Sequence, residues 1–280
     1  MNSIGILYIV ATPIGNLDDI SLRVKTTLSK VDLIAAEDTR VTQKLLNHLG
    51  IKKKSISYHQ YNEEQKSKYF LTQLLAGQDI ALVSDAGTPA ISDPGYEVIR
   101  LAHENNIKVI GIPGPSAIIL ALSMSGLAVN SFIFDSFFPR TTKSREEKIQ
   151  ELISTDKTYV FFESVHRILS TLSFLYDHLD KNRNFFIGRE LTKKFEQYYK
   201  GDIEGIKELI SSPTFVEKGE FVLIIDKPIH QALQLGRTER LFDYIDLKKI
   251  NKSSIKELSN ILNVPKNEIY RAYLKKAGKV

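Results

Sequence analysis

Through residue 138 the chain alternates short runs of β-branched and aliphatic residues with longer amphipathic stretches, and this alternation restricts the fold more than any other feature. Runs such as LYIVA at 7–11 and IALVS at 80–84 are too short for helices and apolar on both sides, as strands buried on two faces are. Strands of that kind separated by helices form a mostly parallel sheet with helices over it. The strand candidates are 7–11, 32–36, 56–59, 80–84, 108–112 and 132–137. Helices are expected at 19–30, 39–48, 62–75, 96–104 and 116–125, several opened by an Asp, Thr, Asn or Ser able to cap the first turn.

The stretch PRTTKSREE at 139–147 has no apolar periodicity and reads as a loop leading into a helix, with a domain boundary nearby. Beyond it strands are expected at 158–162, 185–188, 195–200 and 221–225, and helices at 165–178 and 203–210. Strands here follow one another without helices between, so this second sheet should be mixed. After Pro228 the composition shifts, and helices near 237–244, 254–262 and 266–275 follow. The last two have the spacing of a helix-turn-helix pair, although a plain helical hairpin fits as well. The expectation is an α/β protein with an N-terminal α/β domain at 1–138, a second α/β domain at 139–227 and a basic helical appendix at 228–280.

The formal charge of +5 is unevenly placed. From Lys227 to Val280 there are 12 Lys and Arg against 5 Asp and Glu, while residues 1–226 carry 26 against 28. A localised basic segment suits a polyanionic partner, whose condensed counterions it displaces; a solvated lysine-rich face has the same composition. The absence of cysteine excludes disulfides, thiolate nucleophiles and Cys-ligated metals, and fits a reducing, cytoplasmic setting. The first apolar run, 4–11, is far shorter than a membrane span and lacks the features of a signal peptide.

Three loops leave the C-terminal ends of expected strands, where open α/β sheets bind ligands. They are Thr12-Pro13-Ile14-Gly15-Asn16-Leu17, Ser84-Asp85-Ala86-Gly87-Thr88-Pro89 and Pro113-Gly114-Pro115-Ser116-Ala117. Their Gly and Pro residues permit sharp turns and close backbone approach to a ligand, and Asp, Thr and Ser supply polar groups. No GxGxxG follows the first strand and no GxxxxGK[ST] occurs, which disfavours a nicotinamide dehydrogenase or a P-loop nucleotidase. No HExxH or other metal-ligand spacing links the six histidines, and no GxSxG elbow is present.

A fourth cluster, Glu37-Asp38-Thr39-Arg40, ends a strand and could turn two acids and an arginine toward the same cleft as general base and anion holder. Equally, Asp38 or Thr39 could cap the next helix while Arg40 pairs with an acid. Glu190 could be part of a structural ion pair in the second sheet.

The strings TPIGNLDDIS, AAEDTR, SDAGTPAISDPGY, PGPSA, FFESVHRI, GRELTKKFEQ and GEFVLII occur in one order over nearly the whole chain. Together they resemble the tetrapyrrole-methylase superfamily, and within it the branch that methylates small-subunit ribosomal RNA. The resemblance implies an S-adenosylmethionine site between two α/β domains and 2′-O-methylation of a cytidine ribose in 16S ribosomal RNA, within the small subunit and by a homodimer. By motif, the cofactor would touch Pro13, Ile14, Asp85, Ala86, Gly87, Thr88, Ser116, Ala117, Phe162, Leu191 and Glu220. Asp38 or Glu37 would take the proton of the ribose hydroxyl, with Arg40 beside them. Arg140, Lys143, Arg145, Lys248, Lys249, Lys252 and Lys256 are the candidate RNA contacts, and no metal is expected. In Asp135-Ser136-Phe137 a serine stands where members of the family often have glycine. A porphyrinoid C-methyltransferase with the same cofactor, or a non-catalytic RNA-binding protein, are the competing readings.

Overall fold

The computed structural model describes residues 4–228, 242, 250–262, 264 and 266–277. By its contacts the chain divides into two units, Met1–Leu120 with Glu190–Glu196, and Ala121–Arg189 with Gln197–Val280.

The first unit is built on β1 (Leu7–Val10), β2 (Leu33–Ala36), β3 (Ser55–Ser57), β4 (Ile80–Val83) and β5 (Val109–Ile112). All pair in parallel, in the order β3-β2-β4-β1-β5. Successive side chains of a strand point to opposite faces, and each face has its own core. Helices α1 (Leu22–Lys30) and α2 (Thr39–Leu49) bring Val24, Leu28 and Leu46 onto Val10, Ile34, Ala36, Ala81 and Val83. Helices α3 (Glu63–Leu75) and α4 (Tyr96–Glu104) bring Phe70, Leu74, Val98 and Ala102 onto Leu7, Leu33, Ala35, Ile80 and Leu82. Each large apolar side chain fully buried in this way contributes about 1.5–3 kcal/mol. The chain leaves β1 toward β2 and leaves the adjacent β4 toward β5, so its direction reverses between neighbouring strands. Such a reversal opens a crevice outside the C-terminal ends of the strands. After β5 comes α5 (Ala117–Ser125).

The second unit holds β6 (Phe132–Phe137), β7 (Thr158–Ser164), β8 (Asn184–Arg189), β9 (Gln197–Asp202) and β10 (Glu220–Ile225), in the order β6-β7-β10-β8-β9. Only the β6–β7 pair is parallel, so the sheet is mixed, as expected. Helices α6 (Thr142–Ser154), α7 (Ile168–His178) and α8 (Ile206–Ser211) close one face over Tyr159, Phe161, Phe185, Ile187, Leu223 and Ile225. Beyond it α9 (Lys252–Leu262) and α10 (Lys266–Lys276) share a small core of Ile255, Val264, Ile269 and Ala272 with Phe242.

Four sequence expectations are corrected. Strand β6 joins the second sheet rather than the first, because it pairs with β7 and sets Phe134 and Phe137 edge-on to Phe162. The loop that leads into a helix at 139–147 is shorter than expected and ends at Thr141, which caps α6 by accepting the Ser144 amide at 3.2 Å; the polar first turn hides the helical period. The helix expected at 19–30 is broken, with a 3-10 turn at Leu17–Asp19 before Ser21 caps α1. The strand expected at 195–200 starts two residues later, after left-handed turns at Glu190 (φ 49°) and Thr192 (φ 65°). The expected helix 237–244, Phe242 apart, and Lys248 and Lys249 lie outside the described residues.

Candidate active site

Because β2, β4, β1 and β5 are successive neighbours, their C-terminal loops stand side by side, and hydrogen bonds stitch each to the next. Between the β2 and β4 loops, the Asp38 amide donates to Asp85 Oδ1 at 2.9 Å and the Asp85 amide donates to Glu37 Oε2 at 3.2 Å. Between the β4 and β1 loops, Thr12 and Gly87 exchange amide–carbonyl bonds of 2.9 and 3.1 Å, and Thr12 Oγ1 donates to the Ser84 carbonyl at 3.1 Å. Toward the β5 loop, Thr88 Oγ1 donates to the Pro115 carbonyl at 3.5 Å. The segment 190–196 closes the rim, with Thr192 Oγ1 accepting the Asn16 amide at 3.2 Å.

Two glycines are required here. Gly87 sits at φ 81°, and a Cβ on it would lie 3.3 Å from Ile14 Cγ2 and 3.7 Å from the Pro115 oxygen. At Gly15 a Cβ would meet Lys193 Cγ at 2.3 Å, Thr192 Oγ1 at 2.9 Å and the Leu191 oxygen at 3.3 Å. Of the five non-glycine residues with positive φ among those described, Ala90, Glu190 and Thr192 belong to these loops. Such conformations are costly and concentrate at functional sites.

The structure therefore brings together Pro13, Ile14, Asp85, Ala86, Gly87, Thr88, Ser116, Ala117 and Leu191 within one unit. Pro13, Ile14, Gly87 and Leu191 are buried, whereas Asp85 and Ala86 face solvent. Ser116 precedes α5 and its carbonyl accepts the Leu120 amide. Phe162 and Glu220 belong to the second unit, on adjacent strands whose register pairs Val222 with Phe162.

The acids of this rim differ in character. Arg40 donates from its amide to Asp38 Oδ1 at 2.8 Å and from its guanidinium at 2.6–3.1 Å, so Asp38 both caps α2 and holds Arg40. Those hydrogen bonds pull the Asp38 carboxyl down to about 2. Glu37 is pushed above the ordinary carboxyl range, chiefly by burial and further by Asp93, Asp85 and Asp38, against the hydrogen bond from the Asp85 amide. Burial also raises Asp85 and Asp93. Asp93 acts on Glu37 through its charge, and its position after the Gly87 loop gives no sign in the sequence that it belongs with these acids. A carboxylate with a raised pKa is the better proton acceptor near neutrality, which sets Glu37 apart from Asp38.

Glu190 pairs with Lys193 at 2.8 Å, and its neighbour Arg189 donates to the Lys218 carbonyl and to Gln197 Oε1. Of the candidate RNA contacts, Arg140, Lys143, Lys252 and Lys256 are exposed. Arg145 instead donates from Nε to the Pro139 carbonyl at 3.0 Å and lies over the rings of Phe138 and Phe174. Among the described residues no group of His, Cys, Asp and Glu could hold a metal ion, and no helix is long and apolar enough to cross a membrane.

The chain that forms this parallel sheet with convergent strand-end loops and the mixed sheet after it matches, over residues 6–207, the family model of the tetrapyrrole (corrin/porphyrin) methylases, and it belongs to that family. Within it, the chain is 43% identical over 276 residues, 96% of its length and 94% of the relative's, to the ribosomal RNA small subunit methyltransferase I of Halalkalibacterium halodurans. It is 42% identical over 274 residues, 96% and 98% of the two lengths, to the protein of the same name from Synechocystis sp.. Solved structures share the fold at lower identity. The methyltransferase CobJ matches with a TM-score of 0.58 and 14% identity over 80% of this chain and all of that one. The uroporphyrin-III C-methyltransferase of Thermus thermophilus, complexed with S-adenosylhomocysteine, matches with a TM-score of 0.53 and 15% identity over 79% and 96%.

Proposed function

We propose that the chain transfers a methyl group from S-adenosylmethionine to small-subunit ribosomal RNA, on the 2′-oxygen of a cytidine ribose in 16S RNA. The observation that carries the reading is the likeness of more than 40% over almost the whole length to proteins named for methylation of that RNA, joined to the convergent loops of the first unit. A solved methyltransferase of the same fold, complexed with S-adenosylhomocysteine, supports the choice of donor.

The residues present fit such a cofactor. Gly87 and Gly15 leave the backbone bare where loops meet, and Asp85 offers a solvent-facing carboxylate beside them. Pro13, Ile14, Asp85 to Thr88, Ser116, Ala117 and Leu191, all within the first unit, would hold the cofactor. When bound, the cofactor supplies an activated methyl group. The chain's own work is to orient the acceptor oxygen in line with it and to take up the acceptor's proton.

Glu37 is assigned the proton. One of its oxygens is fixed by the Asp85 amide, and its raised pKa suits a base working near neutrality. Asp38, already engaged by Arg40 and the first turn of α2, positions the loop. Arg140, Lys143, Lys252 and Lys256 are assigned to RNA phosphates, with Lys248 and Lys249, in a small ribosomal subunit bound by a homodimer.

The test is incubation with labelled S-adenosylmethionine and small subunits lacking the modification, with a porphyrinoid substrate in parallel. Label on one cytidine ribose of 16S RNA supports the reading; label only on the macrocycle, or on no substrate, refutes it.

A further inference from the structure

The candidate RNA contacts named so far lie in the second unit or in the basic appendix, yet the reacting atoms belong to loops of the first. Residues 1–226 carry a slight negative excess, so any RNA contact near those loops requires a local concentration of positive charge. One exists. From Thr39 to Asn62 there is no Asp or Glu, while Arg40, Lys44, Lys52, Lys53 and Lys54 all fall within the stretch.

The fold collects these residues along one path. A shallow open groove is lined by Thr39, Arg40, Gln43, Lys44 and Asn47 of α2 and by Ser55, the first residue of β3. Strand β3 is the edge of the sheet, so no further strand closes this side. The groove starts at the acidic loop, where Thr39 opens α2, and follows the helix to Asn47, about 12 Å at 1.5 Å per residue. Lys52, Lys53 and Lys54 immediately precede Ser55 and so stand at its far end. Lys44, Lys52 and Lys54 are exposed, and none of the four lysines makes an ion pair among the described residues. The Arg40 side chain is 87% exposed at the other end. Gln43 and Asn47 add amide groups on the same face, bonded to each other at 2.9 Å.

Four lysines without ion-pair partners among the described residues, an exposed Arg40 held by Asp38, polar amides between, and a start beside the proposed general base describe a surface for a polyanion strand rather than for an apolar partner. We propose that the groove between α2 and β3 is a track for the sugar–phosphate backbone of the single-stranded RNA flanking the target nucleotide. This rests on the RNA reading above and adds a second contact region to it. Lysines beside an edge strand also deter strand pairing between molecules, a role that involves no RNA.

The experiment uses the full chain and unmethylated small-subunit RNA, with binding measured from roughly 50 to 200 mM salt. Three proteins are compared: wild type, a quadruple Lys44→Gln, Lys52→Gln, Lys53→Gln, Lys54→Gln variant, and a control Lys25→Gln, Lys30→Gln variant on α1. Each lost phosphate contact on a single strand removes about 0.7 from the slope of log K against log[salt]. The quadruple variant should therefore be shallower by about 2 to 3 and bind roughly 100-fold more weakly near 0.15 M. S-adenosylmethionine affinity and melting temperature should match wild type, and a Lys→Arg version of the four should restore the slope. A quadruple variant with the wild-type slope, or a control that flattens it equally, overturns the track. Wild type that neither binds nor methylates the RNA refutes the functional reading itself; wild type that does both while the quadruple variant equals it refutes the track alone.

Discussion

Gly87→Ala probes the convergence of loops most sharply. At φ 81° an alanine pays a left-handed backbone penalty of about 1–2 kcal/mol. Its methyl would also stand 3.3 Å from Ile14 Cγ2, so the Ile14 side chain must yield by a few tenths of an ångström. Relief by twisting is opposed by the paired bonds of 2.9 and 3.1 Å that lock Gly87 to Thr12. A total near 2 kcal/mol follows, and at about 2–4 °C per kcal/mol the melting temperature should fall by roughly 4–8 °C. Because the same methyl projects between the β1 and β5 loops, affinity for S-adenosylmethionine should drop by more than about tenfold, equivalent to 1.4 kcal/mol. Calorimetric melting and isothermal titration read the two effects separately. Wild-type values for both would refute the reasoning; a lowered melting temperature with unchanged affinity would make the loop a structural turn outside the site.

Glu37→Gln should lower kcat by about 10²–10⁴-fold and remove the acidic limb of the pH–rate profile, which Asp38→Asn should leave in place. The same substitution should raise stability at neutral pH. A carboxyl whose folded pKa lies above its unfolded value destabilises the fold once pH exceeds the raised value, and has no effect below the ordinary one. Thermal melts at two pH values check this, and a less stable Glu37→Gln protein at pH 7 would contradict it. Ser136→Gly should stabilise by about 1 kcal/mol in denaturant titration, since Ser136 sits at φ 51° where β6 shifts register. Glu163→Ala should destabilise by about 3 kcal/mol, because the fully buried carboxylate takes hydrogen bonds from the Ser164 amide, Thr171 and the partly exposed Arg167, and its loss leaves the buried Thr171 hydroxyl without that acceptor. Arg145→Ala should cost stability through lost packing on Phe138 and Phe174 and leave the salt slope of RNA binding unchanged.

The parallel sheet was legible because strands such as Ile80–Val83 are apolar on both faces and the helices between them keep their period. The three Gly- and Pro-bearing loops were legible because strand ends place ligands and those residues permit the turns. What escaped depends on partners distant in sequence. Nothing in the sequence assigns β6 to one sheet or the other; pairing with β7 decides it. Asp93 joins the acids through the action of its charge on Glu37, and Thr192 joins the rim through the Asn16 amide 176 residues away. The string FFESVHRI was visible, but its role was not: Glu163 and Arg167 hold one another while Arg167 also donates to the Phe138 and Pro139 carbonyls at the corner between β6 and α6. The distinction between Glu37 and Asp38 likewise waited on geometry, since only the fold shows which carboxylate Arg40 occupies.

Backbone hydrogen exchange with and without S-adenosylmethionine tests the proposed pocket most directly. Slowed exchange is predicted in 12–17, 84–89, 113–117 and 190–193, with the strands behind them unchanged. Protection confined to other segments, or none at saturating cofactor, would contradict it.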